Sequence, residues 1–221
     1  MSGAPSSAPS GAPSGAPSGA RPAVLLASQN AGKAREFTAL LQGLVVVEAL
    51  TPEDAAHMPE ETGETFEENA RLKVEAIARR TGRVVLADDS GLVVDALDGA
   101  PGVRSARYAP GTDRDRYEKL LAALAHLDPA DRAARAARFV CALAYAHPGR
   151  PLVLVRGTLE GHIIAEARGA HGFGYDPVFV PEGGARTLAE HDLAEKGLLS
   201  HRGRALARLR PLLAHDLGLG A

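Results

Sequence analysis

Apolar residues along the chain recur with two different periods. Residues 23–28 form a short, nearly unbroken apolar run, and residues 31–42 place Ala34, Phe37, Leu40 and Leu41 at helical spacing before a second apolar run at 44–49. A run of this length predicts a buried strand, and the three-to-four repeat predicts a helix with one inward face. The chain therefore opens as strand, helix, strand. Thr65-Phe-Glu-Glu68 has the form of a capping box, and the helix it predicts, 66–80, meets Gly82 as its stop. Strands are predicted at 84–87 and 92–96, followed by a Gly/Pro-rich loop to Arg107 and a helix over 113–127 with Tyr117, Leu120, Leu121 and Leu124 inward. Residues 138–146 and 152–160 predict antiparallel strands joined by His147-Pro-Gly-Arg150, which makes the sheet mixed. Residues 163–166 are a candidate extension, 169–177 a glycine-rich loop, and 200–216 a final helix interrupted at Pro211. The fold class is α/β.

Residues 1–22 depart from this pattern: they are a near-repeat of Ser, Gly, Ala and Pro with no charge before Arg21. Such a segment has too little apolar surface to offset its ordering entropy, so a disordered tail is expected, with one folded domain over 23–221. At 221 residues, 45% hydrophobic and 24% charged, the chain is long enough for a sizeable core. Lys+Arg 25 against Asp+Glu 27 gives a net charge of -2, which lacks the basic excess of a protein that coats nucleic acid or anionic membrane. Neither is an expected partner. The single cysteine, Cys141, excludes an intramolecular disulfide and any multi-cysteine metal site, and suits a reducing, cytoplasmic location. No apolar stretch reaches the roughly 18 to 20 residues that span a bilayer, and no export signal pattern opens the sequence.

Polar residues that folding alone does not explain gather at the ends of the predicted elements. Ser28-Gln29-Asn30-Ala31-Gly32-Lys33 runs from a strand into a helix N-terminus, which is anion-binding geometry. The first glycine and the hydroxyl of a Walker A loop are missing, and read alone the segment is equally a capped helix. Asp88-Asp89-Ser90-Gly91 is expected at a strand end, where adjacent carboxylates repel unless one is protonated, solvated or neutralised by a cation such as magnesium. A turn is the plainer reading. Glu60, Glu61 and Glu64 are candidates for a further ligand or a solvated acidic loop. Lys73 falls on the inward helical stripe with Phe66, Ala70 and Ile77; alone it is read as snorkelling to solvent, with a buried anion as the alternative. Ser200 is a good N-cap, yet His201, Arg202 and Arg204 put positive charge in the first turn, which an anion there would relieve. Gly172-Phe173-Gly174-Tyr175-Asp176-Pro177 offers aromatic faces and a carboxylate for a base, although turn glycines and core aromatics account for it as well. His191-Asp192 is read as ordinary surface. Taken together, Lys33, Lys73, Lys196, His201-Arg202 and the acidic pair suit a nucleoside polyphosphate with magnesium.

Six ordered blocks now carry a resemblance. They are Ser28 to Lys33; Phe66-Glu-Glu-Asn-Ala70 with Lys73; Ala87-Asp-Asp-Ser-Gly-Leu92; Pro101-Gly102 with Ser105-Ala-Arg-Tyr108; Gly172 to Pro177; and Lys196 with Ser200-His-Arg202. Over Val24 to about Leu209 the sequence resembles the inosine/xanthosine triphosphate pyrophosphatase family (ITPase, RdgB-like). The resemblance implies a long mixed sheet flanked by helices in two lobes, with a nucleotide in the central cleft, and a homodimer. It implies hydrolysis of ITP, dITP and XTP to the monophosphate and pyrophosphate, which keeps deaminated purines out of DNA and RNA. By position, Ser28, Gln29, Asn30, Ala31, Gly32 and Lys33 would bind phosphates with Lys73 and Lys196. Glu60 and Asp89 would hold magnesium, and Asp89 would also accept the proton of the attacking water. Ser90 would contact substrate, and Phe173, Gly174, Tyr175 and Asp176 with His201 and Arg202 would hold the base. Arg202, a donor-only side chain, suits a 6-oxo group and not the 6-amino group of adenine. Rejection of GTP rests on the resemblance alone. A Maf-like pyrophosphatase for other modified nucleotides and a non-hydrolysing nucleotide-binding module are the alternatives.

Overall fold

The computed structural model describes residues 21–219. Its elements run β1 (Ala23–Leu26), α1 (Ala31–Leu40), β2 (Val46–Ala49), α2 (Pro52–Ala55), α3 (Phe66–Thr81), β3 (Val85–Val94), α4 (Asp113–Ala123), β4 (Ala136–Ala146), β5 (Val153–Ile163), β6 (Phe179–Pro181), α5 (Leu193–Leu199) and α6 (His201–Asp216). The strands form one sheet in the order β2-β1-β3-β4-β5-β6. β1 pairs in parallel with β2 and β3, whereas β3, β4, β5 and β6 are antiparallel neighbours, so the sheet is mixed as expected. Residues 1–20 of the expected tail lie outside the described residues, and Pro22 already belongs to the sheet margin, its carbonyl accepting from the Val46 amide at 2.9 Å.

Strand alternation divides the core. Val24 and Leu26 of β1 with Leu86 of β3 pack under Phe37 of α1 and Leu206, Leu209 and Leu213 of α6. Leu25, Ala27, Val85 and Ala87 face the other way, against Ala70, Val74 and Ile77 of α3. Beyond this first lobe, the far ends of β3, β4 and β5 carry a second cluster in which Leu92, Val94, Phe139 and Ile163 meet Leu120 and Leu124 and Phe179 of β6. The two lobes meet where β3 passes between them. Gly157 on β5 sets how closely α6 lies there, because a Cβ would come within 2.1 Å of the His201 carbonyl.

Four local expectations are corrected. The predicted strands at 84–87 and 92–96 are one strand, β3, which runs straight through Asp88-Asp89-Ser90-Gly91. β4 pairs with it along its whole length, from Val85 opposite Ala146 to Val94 opposite Ala137, and this ladder overrides the local turn preference. Pro211 does not interrupt α6, because Leu209 and Leu213 on either side are buried in the first-lobe core. Packing of that face outweighs a proline cost of about 3 kcal/mol. The chain leaves β5 after Ile163, and the Ile164 amide turns to the Val178 carbonyl at 2.9 Å, so 164–166 do not extend the strand. The helix predicted to 127 ends as α4 at Ala123, with Leu124 as its cap.

Candidate active site

Asp88 and Asp89 are successive residues of one strand, so their carboxylates point to opposite faces of the sheet. The two carboxylates are thereby kept apart, and each is met by its own cation, Lys33 for Asp88 and Lys73 for Asp89. On the α1/α6 face, fully buried Asp88 lies 3.0 Å from Lys33 Nζ and 3.3 Å from Arg202 Nε, and accepts from Ser90 Oγ at 2.7 Å. Burial pushes its carboxyl upward, but Lys33, Arg202 and Lys73 outweigh it and hold the group well below the usual carboxylate range. On the α3 face, Asp89 receives Lys73 Nζ at 2.9 Å and Asn69 Nδ2 at 3.4 Å. Here burial wins over Lys73 and raises the carboxyl above its ordinary value.

Lys73 therefore does not snorkel. It is 4% exposed, with its ammonium between Asp89 and Glu61, the latter at 3.1 Å. Burial works against its charge, yet Asp89, Asp88 and Glu61 outweigh that and lift its affinity for the proton. The capping box on Thr65 and Glu68, both bonds formed, fixes the start of α3 and so the depth at which Asn69 and Lys73 project.

α1 begins at the same cavity. Asn30 caps it by accepting the Lys33 amide at 3.0 Å, and Ser28 Oγ accepts the Asn30 amide at 3.2 Å. Gln29 is tied to α2 by a 2.7 Å bond to the Ala55 carbonyl. Ser28, Gln29, Asn30 and Lys33 line the cavity; Ala31 and Gly32 stand behind it. A Cβ on Gly32 would come within 2.6 Å of the Phe173 ring, so this glycine lets the aromatic loop close against the helix start.

That loop rests on a buried ion network which includes a residue absent from the sequence-based list, Glu36. Glu36 takes Lys196 Nζ at 2.5 Å on one oxygen and Arg202 Nη1 at 2.9 Å on the other. Lys196 also bonds Asp176, and Arg202 reaches Ser90 Oγ at 2.6 Å. The positive charge at the start of α6 thus finds its anions within the protein. Burial opposes ionisation of Glu36, but Arg202 and Lys196 prevail and lower it; for Asp176 burial prevails and the carboxyl is raised. Phe173 lies beneath both cations, at 4.9 Å from Lys196 and 5.1 Å from Arg202. Gly174 donates to Asp113 at 2.7 Å, and Tyr175 is a core residue whose hydroxyl donates to the Ser105 carbonyl at 2.8 Å. Of the two aromatics, Phe173 is the more open to the cavity. His201 stacks on Phe139 at 4.8 Å, and neither of its ring nitrogens has a partner among the described residues. Burial, with Arg202 and Lys196, keeps this imidazole neutral. His191, read as surface, is buried, while Asp192 caps α5.

The acidic loop separates into two roles. Glu61 takes Lys73 on one oxygen and Arg107 on the other at 3.2 Å, and Glu60, though it lines the cavity, makes no ion pair among the described residues. Glu64 lies outside this cavity. Among the described residues no group of three His, Cys, Asp or Glu could hold a metal by itself. Asp89 with one glutamate supplies two carboxylates. That donor set fits magnesium, which takes its remaining oxygens from water and phosphate.

The cavity, about 400 Å³, is lined from both lobes: Lys33, Lys73, Asp89 and Ser90 from the first, Arg107 and Arg116 from the second, and Phe173, His201 and Arg202 at one end. The volume is that of a small-molecule site. The sequence profile of the Ham1 family matches residues 24–212. A protein of Bacillus licheniformis named dITP/XTP pyrophosphatase is 47% identical over 194 residues, covering 86% of this chain and 97% of its own. One of the same name from Geobacillus kaustophilus is 51% identical over 189 residues, 84% of this chain and 91% of its own. Among solved structures, the Staphylococcus aureus Ham1 protein superposes with a TM-score of 0.75 at 38% identity, over 88% of this chain and 99% of that one.

Proposed function

The chain belongs to the Ham1 family, and we propose that it hydrolyses non-standard purine nucleoside triphosphates, ITP, dITP and XTP, to the monophosphate and pyrophosphate. The observation that carries the reading is the pairing of Asp89 with Lys73 in a cavity that has the capped start of α1 at its wall and a cation-backed aromatic slot at its end.

In this reading the triphosphate lies along the Ser28 to Lys33 segment, held by amides of the helix start and by Lys33 and Lys73. Asp89, its proton affinity raised by burial, takes a proton from a water that attacks the α-phosphorus. The new bond is water oxygen to α-phosphorus, and the bond from α-phosphorus to the bridging oxygen breaks. Its electrons leave on pyrophosphate, whose charge Lys73 and Lys33 stabilise. Asp88 has no direct part; it holds Lys33, Ser90 and Arg202 in place from beneath. Asp89 and Glu60 would hold magnesium. Magnesium supplies neutralisation of the triphosphate and polarisation of its oxygens.

At the other end Phe173 gives a stacking face, with Gly174, Tyr175 and Asp176 shaping the loop around it. Three of the five N-H donors of Arg202 are committed to Glu36, Asp88 and Ser90, which leaves it anchored with donors to spare. Those donors and neutral His201 suit a 6-oxo purine, whereas the 6-amino group of adenine would face donors. Lys196, expected at the phosphates, is not among the residues that line the cavity and holds Glu36 and Asp176 instead. The enzyme is further proposed to be a cytoplasmic homodimer; among the described residues no helix is long and apolar enough to cross a membrane. The test is pyrophosphate release from ITP, XTP, GTP and ATP with and without magnesium. Metal-dependent release from the first two only is expected, and a flat profile or no release would overturn the reading.

A further inference from the structure

We propose that Arg107 is a second-lobe ligand for the pyrophosphate end of the substrate, held in readiness on Glu61. The proposal rests on the pyrophosphatase reading above and goes beyond it by giving the second lobe a part in holding the phosphates.

Most cations that line the cavity already have buried partners. Asp88 and Asp89 hold Lys33 and Lys73, while Arg202 is locked on Glu36 and Asp88; all three come from the first lobe or from the chain that follows β6. From the second lobe two arginines line the cavity, Arg107 and Arg116. The fork of Arg116 is held by its own loop, since Nη1 pairs with Asp113 and Nη2 bonds the Gly111 carbonyl at 3.0 Å, which leaves only its buried Nε without a partner among the described residues. Arg107 has one recorded partner among the described residues, Glu61 at 3.2 Å, and its side chain is 54% exposed.

That contact does two things. It holds a half-exposed guanidinium over the cavity instead of letting it extend into solvent. It is also weak, because a half-exposed ion pair is screened by water and costs little to exchange. Glu61 does not depend on it, since Lys73 occupies its other oxygen from a buried position. A pyrophosphoryl group entering between the Ser28 to Lys33 wall and Arg107 offers several oxygens and more charge than one carboxylate, and a guanidinium fork matches it bidentately. Arg107 would then leave Glu61 for the phosphates and draw the second lobe toward them. The Ser105-Ala-Arg107-Tyr108 turn is suited to this: Ser105 is anchored to β3 by accepting the Leu92 amide at 2.9 Å, and Tyr175 holds its carbonyl, so the arm moves on a fixed base.

The experiment is direct binding of inorganic pyrophosphate and, separately, of IMP to the full chain by calorimetry, for wild type, Arg107→Ala and Arg107→Lys, with thermal melts alongside. Loss of one charge-assisted contact is expected to weaken pyrophosphate about tenfold or more in Arg107→Ala, with IMP affinity and melting temperature unchanged and Arg107→Lys in between. Unchanged pyrophosphate affinity in Arg107→Ala, or equal loss for both ligands with a lowered melt, would overturn the proposal. Failure of the underlying reading looks different: wild type would then neither bind pyrophosphate nor release it from ITP.

Discussion

Glu36 and Arg202, 166 positions apart in the chain, meet at 2.9 Å beneath the aromatic loop, and the second oxygen of Glu36 holds Lys196 at 2.5 Å. One carboxylate on α1 thereby fixes two cations from α5 and α6, and joins the helix whose start is the proposed phosphate wall to the slot proposed for the base. Removing it leaves two buried positive charges short of an anion. Glu36→Ala is expected to lower unfolding free energy by about 3 to 5 kcal/mol, the range for breaking a buried pair from one side. Glu36→Gln, which keeps an acceptor, should lose less. Urea denaturation of the two variants checks this, and a Glu36→Ala curve within about 1 kcal/mol of wild type would refute the role.

Asp89→Asn preserves shape but removes the proposed proton acceptor. Turnover of ITP should fall by orders of magnitude while ITP binding changes far less. Single-turnover kinetics and equilibrium binding separate the two, and equal modest losses in both would reject Asp89 as the base.

Arg202→Lys keeps the charge and loses the planar fork that bonds Glu36, Asp88 and Ser90. The ratio of kcat/KM for ITP over ATP should narrow. An unchanged ratio would show that the base is read elsewhere.

His201 gives a pH dependence of definite sign. Its folded-state pKa is held well below the ordinary 6.5, first by burial and then by Arg202 and Lys196. The unfolded chain therefore takes up a proton there that the folded chain refuses. Stability tied to this group is full above about pH 6.5 and declines as pH falls, by up to about 1.4 kcal/mol per unit. Between pH 7 and 5 the wild type should lose stability more steeply than His201→Gln. Parallel curves from chemical denaturation at each pH would contradict the assignment.

The sequence made the α/β order, the capping box of α3 and the ends of most elements readable, because these depend on neighbours a few residues away. It failed where distant partners decide. Asp88-Asp89 reads locally as a turn, and only the β4 ladder makes it strand and sends the two carboxylates apart. Lys73 reads as a snorkelling lysine because its anions, Glu61 and Asp89, lie 12 and 16 positions away. Glu36 escaped for the same reason, although a trace was present: it sits one turn after Gly32 and one before Leu40, a carboxylate on an inward stripe. α5 was likewise signalled by the capping box of Asp192 and Glu195. β6, three residues long, is too short for periodicity to show.

Water deprotonated by Asp89 is proposed to attack the α-phosphorus of a 6-oxo purine nucleoside triphosphate. Hydrolysis of ITP in heavy-oxygen water with mass analysis of both products tests it most directly. One heavy oxygen in IMP and none in pyrophosphate is expected, at a rate that collapses in Asp89→Asn. Label in pyrophosphate or inorganic phosphate, or no turnover by the wild type, would contradict it.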